Sequence, residues 1–285
     1  MTKTILIKTI KDIKSIISQC KRPLGLVPTM GALHAGHISL IKKARNECET
    51  LIIYIFVNPL QFTPEEDFSE YPKDLNADLK ICEDNNANIL FAPSENEIYP
   101  DNNYEIIKSP ENLSSILCGK TRKNHFSGVA TVLNIFFKII EPDIVYFGEK
   151  DLQQLYVVRW LINEKSKEYK FPILIKGCQI VREATGLACS SRNRYLSEEL
   201  RNISAALYKS LQLAKQNSHS GIFPVSKSIL ESLIFLSHFN EIKVEYFEAR
   251  DKEALKLVNE QRTRDFYYLI AARVGNVRLI DNIEV

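Results

Sequence analysis

The amino-acid sequence predicts a doubly wound α/β fold with a parallel sheet, followed by a smaller α+β domain. Up to about residue 180, short apolar runs alternate with helical segments of about 10–15 residues, which is typical of βαβ units. The run from Leu51 to Val57 is apolar on both faces, as a buried parallel strand is. After residue 180 the chain turns polar and loop-like. We therefore expect one domain over 1–180 and a second over 181–285.

Strands and helices alternate along the first domain. The predicted strands are Leu24–Val27, Leu51–Val57, Asn88–Phe91 and Ile144–Phe147. The helical period predicts helices around Ile38–Arg45 and over Leu75–Asn85, Val129–Ile140 and Asp151–Lys165. Right-handed crossovers between parallel strands would place these helices against the sheet.

The second domain is predicted to contain one long helix and an antiparallel sheet. Ser197 is a suitable N-cap, and the two glutamates after it suit the positive end of a helix. One apolar stripe follows: Leu200, Ile203, Leu207, Leu211 and Ala214. The predicted strands are Val244–Phe247, Phe266–Val274 and Val277–Ile280, with Gly275-Asn276 as a hairpin turn.

Composition excludes several classes of protein. Of 285 residues, 45% are hydrophobic and 25% are charged, which excludes disordered and fibrous chains. A net charge of +2 is too balanced to indicate a nucleic-acid or membrane partner. The six cysteines form no C-x-x-C, and the charged N-terminal segment does not resemble a secretory signal. We expect reduced thiols in a soluble, cytoplasmic protein.

Three common nucleotide and metal signatures are absent. The sequence has no G-x-G-x-x-G and no H-E-x-x-H. Gly119-Lys120-Thr121 resembles the end of a P-loop, but Ser114 stands where the earlier glycine is required. Dinucleotide-dependent dehydrogenases, Walker-type nucleotidases and zincins are therefore disfavoured.

A different motif lies between the first predicted strand and helix. Residues 28–37 read P-T-M-G-A-L-H-A-G-H. A strand-to-helix turn of a parallel sheet presents backbone N–H groups and a helix dipole to anions. His34 and His37 are three residues apart, so both can face one phosphate. Two alternatives remain, a zinc-binding pair and two incidental surface histidines, although no third or fourth metal ligand is evident.

H-A-G-H resembles the H-x-G-H motif of the nucleotidyltransferases, and the wider pattern resembles the pantothenate synthetase family. The matching blocks are residues 28–37, F-V-N-P-L-Q-F at 56–62, H-F-S-G-V at 125–129, F-G-E-K-D-L-Q-Q-L at 147–155 and G-L-A-C-S-S-R-N at 186–193. The resemblance implies a Rossmann-like ATP- and pantoate-binding domain, with the C-terminal domain as a lid.

It also implies a two-step reaction. The pantoate carboxylate attacks the α-phosphorus of ATP to give pantoyl adenylate and pyrophosphate, and the amine of beta-alanine then displaces AMP. A transition state of this kind requires positive charge and oriented donors rather than a nucleophilic side chain. The implied small molecules are ATP with Mg²⁺, pantoate and beta-alanine.

Residue roles carry over from the resemblance by position. His34, His37 and Lys150 would be catalytic. His37 would donate a proton or stabilise charge as pyrophosphate leaves, and Lys150 would hold the α-phosphate. Without the resemblance, Lys150 could be a solvated lysine and S-S-R-N a polar loop. The implied ATP-binding residues are Met30, Gly31, Ala32, Leu33, His34, Ala35, Gly36, His37, Gly148, Glu149, Lys150, Asp151, Val181, Cys189, Ser190, Ser191 and Arg192.

Gln61 and Gln154 would bind pantoate, since amides can pair with both a carboxylate and hydroxyls. Asn58 and His125 would be accessory contacts near the substrates. The alternatives for these two are a turn-forming asparagine and a packed core histidine.

Two departures from the family pattern are evident. Cys189 stands where the family usually has Met. Ala77 stands where relatives often have an acid beside the one retained here as Asp78. Asp78 is therefore a poor candidate for the metal ligand, and Mg²⁺ is expected to be held mostly by ATP oxygens and water. The resemblance further implies a homodimer formed through the first domain.

Two other functions fit the sequence less well. Another H-x-G-H nucleotidyltransferase acting on a phosphorylated substrate would require more Arg or Lys where Gln61 and Gln154 stand. An RNA-binding or synthetase-derived module would require a basic surface or an RNA-binding motif, and neither is evident.

Overall fold

The structure, a computed structural model, describes residues 3–63, 68–102, 104–221, 223–260 and 264–285. It divides into two compact units. The first unit contains Met1–Glu149 and Gln153–Gln179, and the second contains Lys150–Leu152 and Ile180–Val285. In the described part of the chain, no helix is both long and apolar enough to cross a bilayer.

The first unit is built on a six-stranded parallel sheet with the order β1-β4-β3-β2-β5-β6. Its strands are β1 Ile5–Ile7, β2 Leu24–Thr29, β3 Thr50–Ile55, β4 Ile89–Phe91, β5 Ile144–Gly148 and β6 Leu174–Cys178. The central strands β2 and β3 are buried along nearly their whole length, because helices cover both faces of a parallel sheet.

Helices of the first unit connect these strands. They are α1 Ile10–Ile17, α2 Ala35–Glu47, α3 Leu75–Asp84, α4 Glu95–Ile98, α5 Glu111–Ser114, α6 Cys118–Thr121, α7 His125–Ile140 and α8 Leu152–Glu164, although the start of α8 belongs to the second unit. One core cluster packs α2 and α3 against the sheet through Leu40, Ile41, Ile53, Cys82 and Leu90. Almost every side chain of α7 is buried.

The sheet reverses its direction of winding between β2 and β5. Their pairing is limited to Gly25 with Ile144 and Leu26 with Val145, yet both strands continue beyond it. Ligands of doubly wound sheets bind at the carboxyl ends of the strands at such a point. The segments after β2 and β5 are the ones that carry the H-A-G-H and F-G-E-K-D motifs.

The second unit contains two helices and a three-stranded antiparallel sheet with the order β7-β8-β9. These elements are α9 Glu198–His219, α10 Val225–Leu236, β7 Ile242–Asp251, β8 Phe266–Val274 and β9 Val277–Glu284. Ser197 caps α9 through its hydroxyl, and Gly275 makes the β8–β9 turn with a φ of 57°. The buried stripe of α9 packs on the inner face of this sheet.

The predicted fold class is confirmed, and every predicted helix and strand is present. Among the described elements, seven were not predicted: β1, α1, β6 and α10, and the one-turn helices α4, α5 and α6. The first strand has three residues and the sixth carries an exposed Leu174, so neither has the long apolar run that marks β3. Helix α7 begins at His125, four positions before the predicted start at Val129, because its first turn packs on the 59–61 turn rather than facing water.

Candidate active site

The turn after β2 is held in an unusual backbone conformation. Gly31 has a φ of 85° and Ala32 a φ of 52°, and left-handed backbone is costly for a residue with a side chain. The buried Asp78 of α3 compensates for this cost. Its Oδ2 accepts a hydrogen bond from the Ala32 N–H at 3.0 Å and its Oδ1 one from the Leu33 N–H at 2.8 Å. Asp78 therefore fixes the turn that leads into H-A-G-H.

We expect Asp78→Asn to destabilise this turn, because an amide nitrogen cannot accept the bond that one carboxylate oxygen accepts. The free energy of unfolding should fall by about 1–3 kcal/mol, the usual effect of leaving a buried donor unpaired. Chemical denaturation measures this change. Asp74→Asn, at the exposed cap of the same helix, is the matched control because an amide oxygen can still accept from Ala77 N–H. Equal stability of Asp78→Asn and wild type would contradict the assignment.

His34 and His37 cap the N-terminus of α2 reciprocally. The Gly36 N–H donates to His34 Nδ1 at 3.1 Å, and the His34 N–H donates to His37 Nδ1 at 3.3 Å. The ring centroids are 4.0 Å apart. A ring nitrogen that accepts a hydrogen bond carries no proton, so each neutral ring has its proton on Nε2. The capping thus presents two N–H donors beside the positive end of a helix, an arrangement that favours anions.

Gln61 lies on a short helical turn, Pro59–Gln61, that follows β3. Asn58 caps this turn and has no exposed surface. Its Nδ2 donates to Gln61 Oε1 at 3.0 Å and to the Gly128 carbonyl oxygen at 3.1 Å. Its Oδ1 accepts bonds from the Leu60 N–H and the Tyr99 hydroxyl. Asn58 is therefore committed to bonds within the protein and orients Gln61.

The first turn of α7 holds the same segment from the other side. His125 Nδ1 donates to the Gln61 carbonyl oxygen at 2.7 Å, and Arg122 donates to His125 Nε2 at 2.8 Å. A Cβ at Gly128 would lie 2.1 Å from the Leu60 carbonyl oxygen. Glycine at this position therefore lets α7 pack directly on the turn that carries Gln61.

Two neighbouring glutamines begin the part of α8 that belongs to the first unit. Gln153 is buried, and its Nε2 donates to the Leu113 and Ile116 carbonyl oxygens at 2.6 and 2.8 Å. Its Oε1 accepts from the Cys118 N–H at 3.0 Å. Gln154 is half-buried. The first glutamine thus holds the segment 113–118.

Of the remaining predicted ATP-binding residues, Gly148 and Glu149 belong to the first unit, and the second unit contains Lys150, Asp151, Val181, Cys189, Ser190, Ser191 and Arg192. The ammonium of Lys150 lies 3.6 Å from Asp151 Oδ2, and the Lys150 carbonyl oxygen accepts from Asn282 Nδ2. Cys189 donates its N–H to the Val181 carbonyl oxygen. Burial raises the pKa of the Cys189 thiol, which disfavours the reactive thiolate.

The S-S-R-N segment forms a short helical turn, Ser191–Tyr195, that Ser190 caps by accepting from the Arg192 N–H. Asn193 anchors it through bonds to Glu183 and the Ala188 carbonyl oxygen. The Asn193 Oδ1 is buried without a partner among the described residues.

A cavity of about 290 Å³ adjoins the Met30–Gly31 turn at the carboxyl ends of β2, β3 and β4. Its lining includes Met30, Gly31, Phe56, Lys73, Asp78 and Ser94. Its volume is near the lower end of the range for small-molecule pockets.

Comparison with known proteins identifies the family. A family model described as pantoate-beta-alanine ligase matches residues 5–284. A pantothenate synthetase from Clostridium botulinum is 44% identical over 282 residues, covering 97% of this chain and 98% of that protein. The chain belongs to the pantoate-beta-alanine ligase family.

Solved structures agree with this assignment. A pantothenate synthetase from Thermus thermophilus has a TM-score of 0.92 and 34% identity, with 99% of both chains covered. A pantoate-beta-alanine ligase from Francisella tularensis, complexed with beta-gamma ATP and beta-alanine, has a TM-score of 0.80 and 34% identity, covering 99% of this chain and 97% of that one. The predicted family is confirmed.

In this ligase the predicted residues form local groups. The rings of His34 and His37 are in contact, and Lys150 pairs with Asp151. Gln61 is hydrogen-bonded to both Asn58 and His125. Internal hydrogen bonds use both polar side-chain atoms of Asn58 and both ring nitrogens of His125. Their role as accessory substrate contacts stays a prediction. Both Asp78 oxygens accept hydrogen bonds from backbone N–H groups, so this residue holds the turn before α2.

Sequence reasoning missed Tyr99, Arg122 and Gln153. Gln153 lies inside the Q-Q motif, but nothing in the sequence indicates which of the two glutamines faces inward. Tyr99 and Arg122 are far from their partners Asn58 and Gln61 in sequence, so no local pattern marks them.

Proposed function

We propose that this chain catalyses the ATP-dependent condensation of pantoate with beta-alanine to pantothenate, through a pantoyl adenylate, with release of AMP and pyrophosphate. The observation that carries the proposal is the reciprocal capping of α2 by His34 and His37. This capping uses Nδ1 of each ring, so each ring keeps an Nε2–H donor for a ligand. The two donors lie near the helix N-terminus that follows β2, where the sheet reverses its winding.

In the first step a pantoate carboxylate oxygen bonds to the α-phosphorus while the bond to the pyrophosphate oxygen breaks. Negative charge then grows on the leaving pyrophosphate. His34 and His37 stabilise that charge by donating from Nε2, and the N-terminus of α2 adds its positive potential. In the second step the amine of beta-alanine attacks the acyl carbonyl, its proton is lost, and AMP departs with the bonding electron pair.

Lys150 is proposed to hold the α-phosphate, whose oxygens would compete with Asp151 for the ammonium. Ser190, Ser191 and Arg192 are proposed to bind the β- and γ-phosphates, with the second unit closing as a lid on ATP. Gly148, Val181 and the backbone around them would contact the nucleoside.

Mg²⁺ is proposed to arrive with ATP as part of the substrate. Among the described residues, no cluster of three or more His, Cys, Asp or Glu side chains could hold a metal ion. Since the Asp78 oxygens are bonded to the backbone, phosphate oxygens and water suit Mg²⁺ better than this carboxylate does.

Two further proposals concern the protein as a whole. We propose a homodimer formed through the first unit, with the exposed Ile106 and Leu174 as apolar surface available to it. Analytical ultracentrifugation tests this proposal.

None of the six cysteines is in a disulfide, which suits a reducing compartment and supports a cytoplasmic location.

The proposed reaction is tested by product analysis. The purified protein should form AMP and pyrophosphate only when ATP, pantoate and beta-alanine are all present, with no RNA added. Turnover with a phosphorylated substrate in place of pantoate would instead indicate another nucleotidyltransferase, and a requirement for RNA would indicate an RNA-linked role.

Gln154→Ala is expected to raise the pantoate KM at least about tenfold, with less than a twofold change in the ATP KM, because a lost polar contact weakens binding by about 1.4 kcal/mol or more. Gln153→Ala is the matched comparison. It removes three internal hydrogen bonds, so it should lower the free energy of unfolding. Equal changes in the two KM values for Gln154→Ala would place the pantoate pocket elsewhere.

A further inference from the structure

Two backbone groups fix the orientation of the buried Asn58 amide. The Leu60 N–H can only donate, so it must face Asn58 Oδ1, and the Gly128 carbonyl oxygen can only accept, so it must face Nδ2. The Tyr99 hydroxyl lies 2.7 Å from Oδ1 and therefore donates to it. Burial raises the pKa of Tyr99, so the hydroxyl keeps its proton throughout the physiological range.

The orientation of the Asn58 amide fixes the orientation of the Gln61 amide. The second Nδ2 proton of Asn58 points to a Gln61 atom 3.0 Å away, which must then be the acceptor Oε1. Within the described part of the chain, the hydrogen bonds of the Gln61 side chain end at Oε1, which leaves Nε2 for a ligand. The bond from His125 to the Gln61 carbonyl oxygen fixes the backbone as well.

We propose that Tyr99 is a positioning residue for substrate binding. Through Asn58 it holds Gln61 with its amide NH₂ toward pantoate, so that Gln61 serves only as a donor to a pantoate oxygen. This inference rests on the proposed function, in which Gln61 binds pantoate. It adds the direction of the hydrogen bonds, Tyr99 to Asn58 to Gln61 to substrate, and a residue outside the matched motifs.

The tyrosine is well placed for this role. Its ring is buried and makes an edge contact with Phe56, the first residue of the motif that contains Asn58 and Gln61. Tyr104 also packs against this ring, with ring centroids 4.5 Å apart. Loss of the Tyr99 hydroxyl would leave this packing in place and remove one of the two bonds that orient the Asn58 carbonyl.

The test compares Tyr99→Phe with Tyr104→Phe, in steady-state assays of AMP formation. Tyr99→Phe should raise the pantoate KM about 3- to 30-fold, the loss expected for one buried hydrogen bond, and change the ATP KM less than twofold. Tyr104→Phe removes a neighbouring hydroxyl and should leave both constants within twofold of wild type. Equal behaviour of the two variants, or equal changes in both KM values for Tyr99→Phe, would overturn the proposal.

Gln61→Glu tests separately whether Gln61 must donate a hydrogen bond to pantoate. It keeps the proposal testable if Tyr99→Phe does not fold. The carboxylate would accept from Asn58 and present a second acceptor to pantoate, so the pantoate KM should rise at least about tenfold. A pantoate KM near wild type would show that no donor is required there. The proposed function fails differently, since wild-type protein would then form no AMP in response to pantoate and beta-alanine.

Discussion

His37→Ala should lower kcat for adenylate formation by about 10²–10³-fold, the usual effect of removing one donor from a developing negative charge. The side chain donates from Nε2 to the leaving pyrophosphate in the proposed reaction. Pantoate-dependent exchange of pyrophosphate into ATP, measured without beta-alanine, isolates this step. The pantoate KM should change little.

The histidine also caps α2, so its removal should lower the free energy of unfolding by about 1 kcal/mol. His37→Asn separates the two roles. An asparagine oxygen can accept the His34 N–H, as asparagine does at many helix caps, but the side chain is too short to replace the Nε2 donor. This variant should recover stability and remain inactive. Activity near wild type in either variant would refute the role given to His37.

Gly128→Ala should impair both stability and pantoate binding. The added Cβ would lie 2.1 Å from the Leu60 carbonyl oxygen and 2.5 Å from its carbon, so α7 and the 59–61 turn must move apart. Overpacking of this kind costs about 1–3 kcal/mol of unfolding free energy. Since Asn58 bonds to the Gly128 carbonyl oxygen, the movement should also displace Gln61 and raise the pantoate KM at least about tenfold.

Gly148→Ala is the matched control for stability. A Cβ at Gly148 would have no atom within 4 Å, so the free energy of unfolding should stay within about 0.5 kcal/mol of wild type. Its effect is expected in the ATP KM instead, because Gly148 is a proposed nucleoside contact. Denaturation curves and KM values for both variants check the pair. A Gly128→Ala protein as stable as wild type would contradict the close packing of α7.

Much of the fold was predictable because strands such as β3 and helices such as α3 have strong local patterns. The edge strands β1 and β6 were not, since their few residues pair with neighbours distant in sequence. Helix α10 exposes Leu230 and Ile234, which obscures its amphipathic pattern.

The candidate site was predictable only in part, because some of its contacts join residues that are distant in sequence. The strand-to-helix turn and its two histidines lie within ten consecutive residues, so one motif was enough to locate them. Asp78 bonds to residues 45 and 46 positions away, and Tyr99 to one 41 positions away. Sequence shows that Asn58 can form a turn, but only the three-dimensional structure shows that its whole amide is used internally.

The central claim is that the pantoate carboxylate attacks the α-phosphorus of ATP at the His34–His37 donors. Turnover of pantoate labelled with ¹⁸O in both carboxylate oxygens tests it directly, with mass spectrometry of the AMP and pyrophosphate. The proposed reaction transfers one labelled oxygen to AMP and none to pyrophosphate. Label in pyrophosphate or inorganic phosphate, with unlabelled AMP, would mean attack at another phosphorus and would contradict the account.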